Sequence, residues 1–457
     1  MMKIHFTAIG GSAMHNLAIA LKAKGYDVSG SDDEIFEPSL TRLKNHGLLP
    51  AYQGWNPNVI TPGLNGIVLG MHARADNPEL IKAKELGIKI YSYPEYLYEQ
   101  TKDKTRVVVG GSHGKTTITS MIMHVLKQTG VAFDYMVGAQ LDGFDNMVGL
   151  SQSTAYAIFE GDEYLTSPID PRPKFHVYQP NIGIISGIAW DHINVFPTFD
   201  IYREQFSTFI NCIEPNGALI YCNDDQEVIR VVKSSKRNNI KYIPYNTHQY
   251  TIDSSGTYKL INSSREYPLK IFGKHNMQNI GAAKAACAML GTSEEQFYRA
   301  IVEFKGAARR LQCLADNSST KVFLDFAHSP SKVKATIKAT REAYPGKKLV
   351  ACLELHTFSS LNRDFLAQYR DTLSGADYPI VYFNPHTIEH KHLPAISPDE
   401  VKTSFGMPTP NVYTDISALT LQLQQINWKN RILLLMSSGN FSGLNIGELS
   451  AQIVNNT

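Results

Sequence analysis

The run Val107-Val108-Val109-Gly110-Gly111-Ser112-His113-Gly114-Lys115-Thr116-Thr117 constrains the fold of this chain more than any other. Three β-branched residues read as a buried strand. A tight glycine turn follows, and a lysine and two threonines open a helix over 118–128. Such a turn cradles phosphate. Backbone N–H groups of the turn and the helix N-terminus face the anion, Lys115 neutralises charge, and a threonine hydroxyl can hold Mg²⁺. The run is shorter than the GxxxxGK[ST] pattern, because Val109 stands where that pattern has its first glycine. A plain Gly-rich connection between strand and helix is the blander reading; Lys-Thr-Thr at its end argues against it. The loop specifies a nucleotide phosphate and leaves the reaction open.

At 457 residues the chain is too long for one ordinary core, so two or three domains are expected. Its 44 basic and 42 acidic residues nearly cancel, which leaves no strong field to draw in nucleic acid or an anionic membrane. A bound phosphate must therefore be gripped by local geometry. The cysteines (Cys212, Cys222, Cys287, Cys313 and Cys352) form no CxxC pair, which suits a reducing compartment without a metal-thiolate site. The chain enters a strand at once, with no signal-peptide pattern. No apolar run reaches the ~20 residues that a membrane helix needs. The expectation is a cytoplasmic protein, monomer favoured, with neither nucleic-acid nor membrane partners.

Alternating patterns divide the chain into three α/β segments, and doubly wound sheets are expected. Strands are predicted at 3–9, 26–29, 66–70 and 88–91, with helices at 13–24 and 78–86. A helix and a polar linker fill 93–104. The second segment opens with the phosphate loop. It continues with strands at 155–159, 182–185 and 217–222, a helix at 202–213, antiparallel β over 240–272 and an Ala-rich helix over 276–290. The third has strands at 321–325, 348–353 and 431–436 and a helix at 331–344. The predicted domains are 1–104, 105–308 and 309–457.

Several segments between these elements carry chemistry. Glu160-Gly-Asp-Glu163 follows an apolar strand, at the end of a parallel sheet where ligands bind. A carboxylate there, opposite a phosphate loop, suits Mg²⁺, or the segment is a solvated acidic loop. Asp191-His192 ends another strand, so His192 is either an inward ligand or a hydrogen-bonded structural residue. His275 and Asn279 share one helix face and can read an adenine edge or cap the helix. Arg309-Arg310, at a domain boundary, is a phosphate clamp or a solvated pair. Asp325-Phe-Ala-His328-Ser-Pro330 can touch ribose or metal, or cap the helix after it. Gly10-Gly11-Ser12 resembles a dinucleotide turn but fails GxGxxG. Asp32 lies at the distance where an acid meets a ribose hydroxyl.

Taken in order, these pieces resemble the Mur ligase family over essentially the whole chain. The markers are the GKTT loop at 111–117, the E-x-D-E segment at 160–163, Asp191-His192, the HNxxN helix at 275–279, the G-x-x-R-R hinge at 306–310 and a D-x-A-H-x-P strand end at 325–330. The resemblance implies three domains. The first is an N-terminal Rossmann-like UDP-binding domain. The second is a central P-loop ATPase-type parallel sheet with an antiparallel addition. The third is a C-terminal Rossmann-like domain for the amine substrate. It implies ATP and Mg²⁺ as cofactors. Gly111, Ser112, His113, Gly114, Lys115, Thr116 and Thr117 would cradle the phosphates, and Thr116, Glu160 and His192 would meet metal. Asn276 and Asn279 would lie against adenine, Arg310 (with Arg309 the weaker candidate) would reach the γ-phosphate, and Asp325 would meet the nucleotide. Lys115, Glu160, His192 and Arg310 would form the catalytic set. Gly10, Gly11, Ser12, Asp32 and His72 would surround the uridine diphosphate.

Within the family, the opening Ile-Gly-Gly-Ser-Ala-Met and Gly30-Ser31-Asp32 look like the branch acting on UDP-N-acetylmuramate. The stretches 70–80, 162–164, 170–175 and 436–443 look like its muropeptide-recycling members, which join that acid to L-alanyl-γ-D-glutamyl-meso-diaminopimelate in peptidoglycan recycling. Addition of L-alanine is the near alternative, and a UDP-sugar-sensing nucleotide switch is the alternative from another class. Several relatives carry a carbamylated lysine near the metals. Here residue 207 is Ser, and no lysine lies between His192 and Lys233, so no carbamate is expected. Asn194 and Phe326 stand where the family more often has Asp and Tyr. The tail of a peptide substrate calls for cationic or amide partners in the third domain. His356, Arg363, His386 and the cluster Glu389-His390-Lys391-His392 are the candidates, most of them expected at the surface. His328 is the one guess for the base that frees the amine. Lys115→Ala is expected to abolish turnover and spare the fold, on the premise that the loop is a surface element.

Overall fold

The computed structural model describes residues 1–457 except His72, His192, Ser255, Asn456 and Thr457. The chain divides into two compact units. The first comprises Met1–Ile188, Asp200–Asn246 and Ala282–Ala300; the second comprises Ala189–Phe199, Thr247–Gly281 and Ile301–Thr457.

The first unit holds two mainly parallel sheets and a small antiparallel pair, Leu165–Ser167 with Asp170–Pro173. Four parallel strands run in the order Asp27–Ser31, Lys3–Thr7, Gly66–Leu69, Ile90–Ser92. Helix Ser12–Ala23 crosses between the first two in sequence and buries Met14, Leu17, Ala18 and Leu21 at helical spacing. The second sheet runs Lys241–Tyr245, Ala218–Cys222, Ile182–Ile185, Thr105–Gly110, Tyr156–Glu160, Phe133–Met136, Val148–Gly149. Only its last strand is antiparallel. Thr105–Gly110 is central, and Val107, Val108 and Val109 are fully buried, as a strand covered on both faces requires. Strand order reverses beside it, so the loops after Gly110 and Glu160 open at one switch point, where such sheets bind ligands.

The second unit holds a three-stranded antiparallel sheet, Tyr250–Ile252, Tyr258–Asn262 and Arg265–Pro268, and a six-stranded sheet. The latter runs Gln312–Asp316, Lys321–Asp325, Arg431–Met436, Lys348–Leu355, Tyr378–Phe383, Asn411–Tyr413, parallel except for its first strand. Alternation along its strands feeds two cores. Leu349, Ala351, Leu353, Ile432 and Leu434 pack with Val333, Ile337, Val401 and Phe405 on one face. Val350, Cys352, Leu433 and Leu435 pack with Leu419, Leu423, Leu449 and Ile453 on the other. This is a doubly wound layer.

The α/β reading therefore holds, with one correction. The segment 240–272 is not wholly antiparallel: Lys241–Tyr245 joins the central sheet parallel to Ala218–Cys222, and antiparallel pairing begins only at Tyr250. Alternation specifies a strand and its faces, but not the direction of its neighbour.

Candidate functional site

The phosphate loop is built by its glycines. Gly111 has φ 138°, and a Cβ there would strike Ser186 Oγ; Gly114 is left-handed at φ 81° and caps helix Lys115–Gln128. Neither conformation suits a side chain. Ser186 sits just past strand Ile182–Ile185 and accounts for the tightness. Its hydroxyl donates to the His113 carbonyl, and its N–H donates to Gly110 O at 3.1 Å. Ser112 N donates to Gly187 O at 3.0 Å, so the loop is stapled to the neighbouring strand end.

Lys115 Nζ bonds Gly111 O at 2.7 Å and pairs with Glu163 Oε2 at 2.6 Å. Its side chain is 13% exposed and that of Glu163 is wholly buried. Burial opposes the ammonium charge, yet the fields of Glu163, Asp162 and Glu160 win and hold its pKa above the usual lysine value. The premise that this loop is a surface element is thereby corrected, since Ser112, Thr116 and Thr117 are buried as well. Tyr202 Oη donates to Glu163 Oε1 at 3.1 Å and lies 3.0 Å from Ser112 Oγ, tying loop, carboxylate and helix Phe199–Asn211 together.

Thr116 Oγ1 donates to Glu160 Oε1 at 2.7 Å, and Gly138 N donates to Glu160 Oε2 at 2.7 Å. A hydroxyl and a carboxylate at a strand end beside a phosphate cradle are the hard oxygen donors that Mg²⁺ takes when substrate phosphates complete its shell. The donor set therefore fits that ion. Among the described residues no group of three or more His, Cys, Asp or Glu gathers to hold a metal. His192 and His72 lie outside the described residues.

In the same unit, Gly10 N donates to Asp32 Oδ2 at 2.6 Å, and Gly54 N to Asp32 O at 2.7 Å. Asp32 thus braces the glycine turn at Gly10-Gly11 ahead of Ser12, the first residue of its helix. Beneath the strand ends, Glu79 is fully buried and accepts from Ser31 Oγ (2.5 Å), Thr7 Oγ1 (3.2 Å) and Asn56 N (2.9 Å), with His5 Nε2 at 3.3 Å.

In the second unit, Asn276 and Asn279 are buried on helix Lys274–Met289. Asn276 Nδ2 donates back to Phe272 O at 2.8 Å, and Asn279 Nδ2 reaches Asn276 Oδ1 at 3.4 Å. Asp325 accepts from Leu311 N (2.7 Å), Ala327 N (2.7 Å) and Thr336 Oγ1 (3.3 Å), which makes it a brace of the hinge. Arg309 Nη2 donates to the carbonyls of Ser437 (3.2 Å) and Gly439, whereas the Arg310 guanidinium lies 4.7 Å over the Phe326 ring. Phe326, the departure from the family tyrosine, holds both arginines by their π contacts.

His328 is buried, and burial with the nearby Lys332 cation lowers its pKa to about 3. Its Nδ1 donates to Phe326 O at 2.8 Å, which fixes the tautomer of the neutral ring. An imidazole that sheds its proton so readily is a poor acceptor of one from an ammonium, so the guess of His328 as base is not supported. Of the tail candidates, Arg363 pairs with Glu400 (2.9 Å) and His386 with Glu389 (3.3 Å), both exposed. His356 alone stands at a strand end, 4.0 Å from buried Glu354.

Glu163 was visible in sequence beside Glu160 without an assigned partner. Tyr202 carried no signal, since one aromatic on an amphipathic helix reads as core. Ser186-Gly187 had the signal of a small pair after a buried strand.

A parallel sheet whose central strand feeds a phosphate loop, followed by a second doubly wound layer behind an arginine hinge, defines a nucleotide-dependent multidomain enzyme. Three family models match in order: "Mur ligase family, catalytic domain" over 3–105, "Mur ligase middle domain" over 109–287 and "Mur ligase, glutamate ligase domain" over 309–439. Among curated relatives, the UDP-N-acetylmuramate–L-alanine ligase of Clostridium acetobutylicum is 32% identical over 393 residues, covering 82% of this chain and 81% of the relative. That of Persephonella marina is 30% identical over 451 residues, covering 96% and 95%. Among solved structures, a murein peptide ligase of Psychrobacter arcticus superposes with TM-score 0.69 at 22% identity, covering 100% and 99% of the two chains. The UDP-N-acetylmuramate–alanine ligase of Thermotoga maritima does so with TM-score 0.70 at 21% identity and the same coverage. The chain belongs to the Mur ligase family. It has the family's three-domain α/β fold and is an ATP-dependent, ADP-forming ligase.

Proposed function

We propose that this enzyme joins the carboxylate of UDP-N-acetylmuramate to the L-alanyl amine of the tripeptide L-alanyl-γ-D-glutamyl-meso-diaminopimelate. The observation that carries the ligase chemistry is the convergence of Lys115, Thr116 and Glu160 at one sheet switch point. A carboxylate is a poor electrophile. Attack of its oxygen on the γ-phosphorus of ATP expels ADP and leaves an acyl phosphate. The amine nitrogen then attacks the acyl carbon, loses a proton, and phosphate departs as the amide forms. The protein's work is positioning and charge neutralisation. Lys115 takes the β/γ-phosphate charge, and Gly111 to Thr117 cradle it. Thr116 and Glu160, with His192, would hold Mg²⁺, which when bound offsets charge on the phosphates. Gly10, Gly11, Ser12, Asp32 and His72 take the uridine diphosphate. Asn276 and Asn279 serve the adenine, Asp325 the nucleotide, and Arg310 the γ-phosphate.

The choice of amine rests on the chain's own stretches at 70–80, 162–164, 170–175 and 436–443. His356 above Glu354, at a strand end of the C-terminal sheet, offers a polar partner for a peptide tail. The names of the curated relatives support free L-alanine instead, and support it more directly. Both amines present the same reacting group, so the phosphate side of the site cannot separate them.

ADP release tests the reading. A ligase liberates ADP only when UDP-N-acetylmuramate and an amine are both present; a nucleotide switch does so without an amine. Tripeptide should give a kcat/KM well above that of L-alanine, and the reverse order would establish the L-alanine reading.

A further inference from the structure

We propose that Asn16, Arg42 and Asn146 are positioning residues that couple the glycine turn of the first sheet to the phosphate side of the second. The inference rests on the reading that Gly10–Ser12 holds the UDP-sugar. All of its residues belong to the first compact unit.

A continuous set of hydrogen bonds links the two places. His15 Nδ1 donates to Gly11 O at 2.9 Å, the carbonyl of the turn itself. His15 Nε2 accepts from Asn16 Nδ2 at 3.0 Å, and the same amide donates to Ser12 O at 2.7 Å. Both residues are 2% exposed, and burial, the largest influence, lowers the His15 pKa, so its ring is a neutral relay of defined tautomer. Asn16 then reaches across to the second sheet. Its Oδ1 accepts from Met147 N at 3.1 Å, and its backbone carbonyl from Asn146 Nδ2 at 2.8 Å. Arg42 closes the junction: one guanidinium nitrogen donates to Asn16 Oδ1 (3.2 Å), Asn146 Oδ1 (2.8 Å) and Asp145 O (3.2 Å).

Beyond the junction the path runs through backbone. Val137 N donates to Met147 O at 3.0 Å. The next residue, Gly138, gives its N–H to Glu160 Oε2, and Glu160 Oε1 accepts from Thr116 at the mouth of the phosphate loop. A shift of the turn by a few tenths of an ångström must therefore be absorbed by bonds that end on a proposed metal ligand. Apolar packing could hold the two sheets together without fixing their register. A junction of directional hydrogen bonds fixes it, because each bond tolerates only a narrow range of geometry.

Equilibrium binding tests this. Titration calorimetry is run with β,γ-imido-ATP and Mg²⁺, with and without saturating UDP-N-acetylmuramate, and then with the ligands exchanged. Wild-type protein should show mutual tightening on the order of tenfold, equal in both directions. In Asn146→Ala each ligand alone should bind within about twofold of wild type, while the tightening falls below about twofold. Arg42→Met is the second variant and carries the test if Asn146→Ala does not fold. Independent binding of the two ligands to wild type overturns the inference, as does an undiminished factor in the folded variants. Failure of the UDP-sugar to bind wild type overturns the substrate reading and this inference together.

Discussion

Lys115 Nζ and Glu163 Oε2 stand 2.6 Å apart in a pair whose carboxylate is wholly excluded from solvent. The pair makes the phosphate loop part of the core of its unit. Lys115→Ala should abolish turnover and also destabilise the protein, by about 3–5 kcal/mol, because it strands a buried carboxylate. The double variant Lys115→Met/Glu163→Gln should lose less stability than Lys115→Ala alone. Urea unfolding of the three proteins measures this, and an unchanged midpoint in Lys115→Ala would count against it. The folded-state pKa of Lys115 is raised above 10.5. The contribution of the Lys115 charge is therefore full below about 10.5 and is lost as pH rises through the folded value, so no dependence from it is expected between neutral pH and mild alkali.

Glu160 is held by Thr116 and Gly138 with both oxygens. Glu160→Gln keeps the shape and removes the charge that a divalent cation needs. Turnover should then require at least about tenfold more Mg²⁺, and Thr116→Val should shift the requirement in the same direction. Mg²⁺ titrations of ADP release decide. A requirement that does not move in either variant excludes this side of the loop as the metal site.

Arg309 and Arg310 are neighbours with different tasks. Arg309 is anchored on the carbonyls of Ser437 and Gly439, whereas Arg310 rests on Phe326. Arg309→Ala should lower the melting temperature, since it leaves two loop carbonyls without their donor. Arg310→Ala should leave the melting temperature within a degree or two and cut kcat by about 10²–10³. The opposite pattern would reverse the assignment of the γ-phosphate arginine.

Much of this was legible in the sequence because it was local. Val107–Thr117 is one strand, one turn and one helix start, and its steric demands are written at Gly111 and Gly114. The buried runs Lys321–Asp325 and Arg431–Met436 were read with their observed limits for the same reason. What escaped was non-local. Short strands such as Phe133–Met136 and the edge strand Val148–Gly149 are too brief to show an alternation and exist through their neighbours. The partners of Lys115 and Thr116 come from a different strand end, Tyr202 arrives on a helix much later in the chain, and Asn16 meets Asn146 only because two sheets abut. Spacing along a chain cannot encode such distances.

The acid limit of stability follows from His328. Burial and Lys332 depress its folded-state pKa to about 3, against an unperturbed value of 6.5. Such a group takes up a proton in the unfolded chain before it does in the folded one. Its stabilising contribution is therefore present above about 6.5 and is lost progressively as pH falls towards 3. A difference of this size is worth on the order of 5 kcal/mol when complete. His176, whose pKa burial lowers to about 4, adds a second contribution of the same sign. Unfolding by urea should show stability falling steadily between pH 6.5 and pH 4, and His328→Gln should flatten that fall while lowering stability at neutral pH through loss of the bond to Phe326 O. The ring should stay neutral by nuclear magnetic resonance across pH 5–9. A midpoint for His328 inside that range would return it to contention as the group that accepts the amine's proton, because only then would it hold a proton at the pH where the enzyme works.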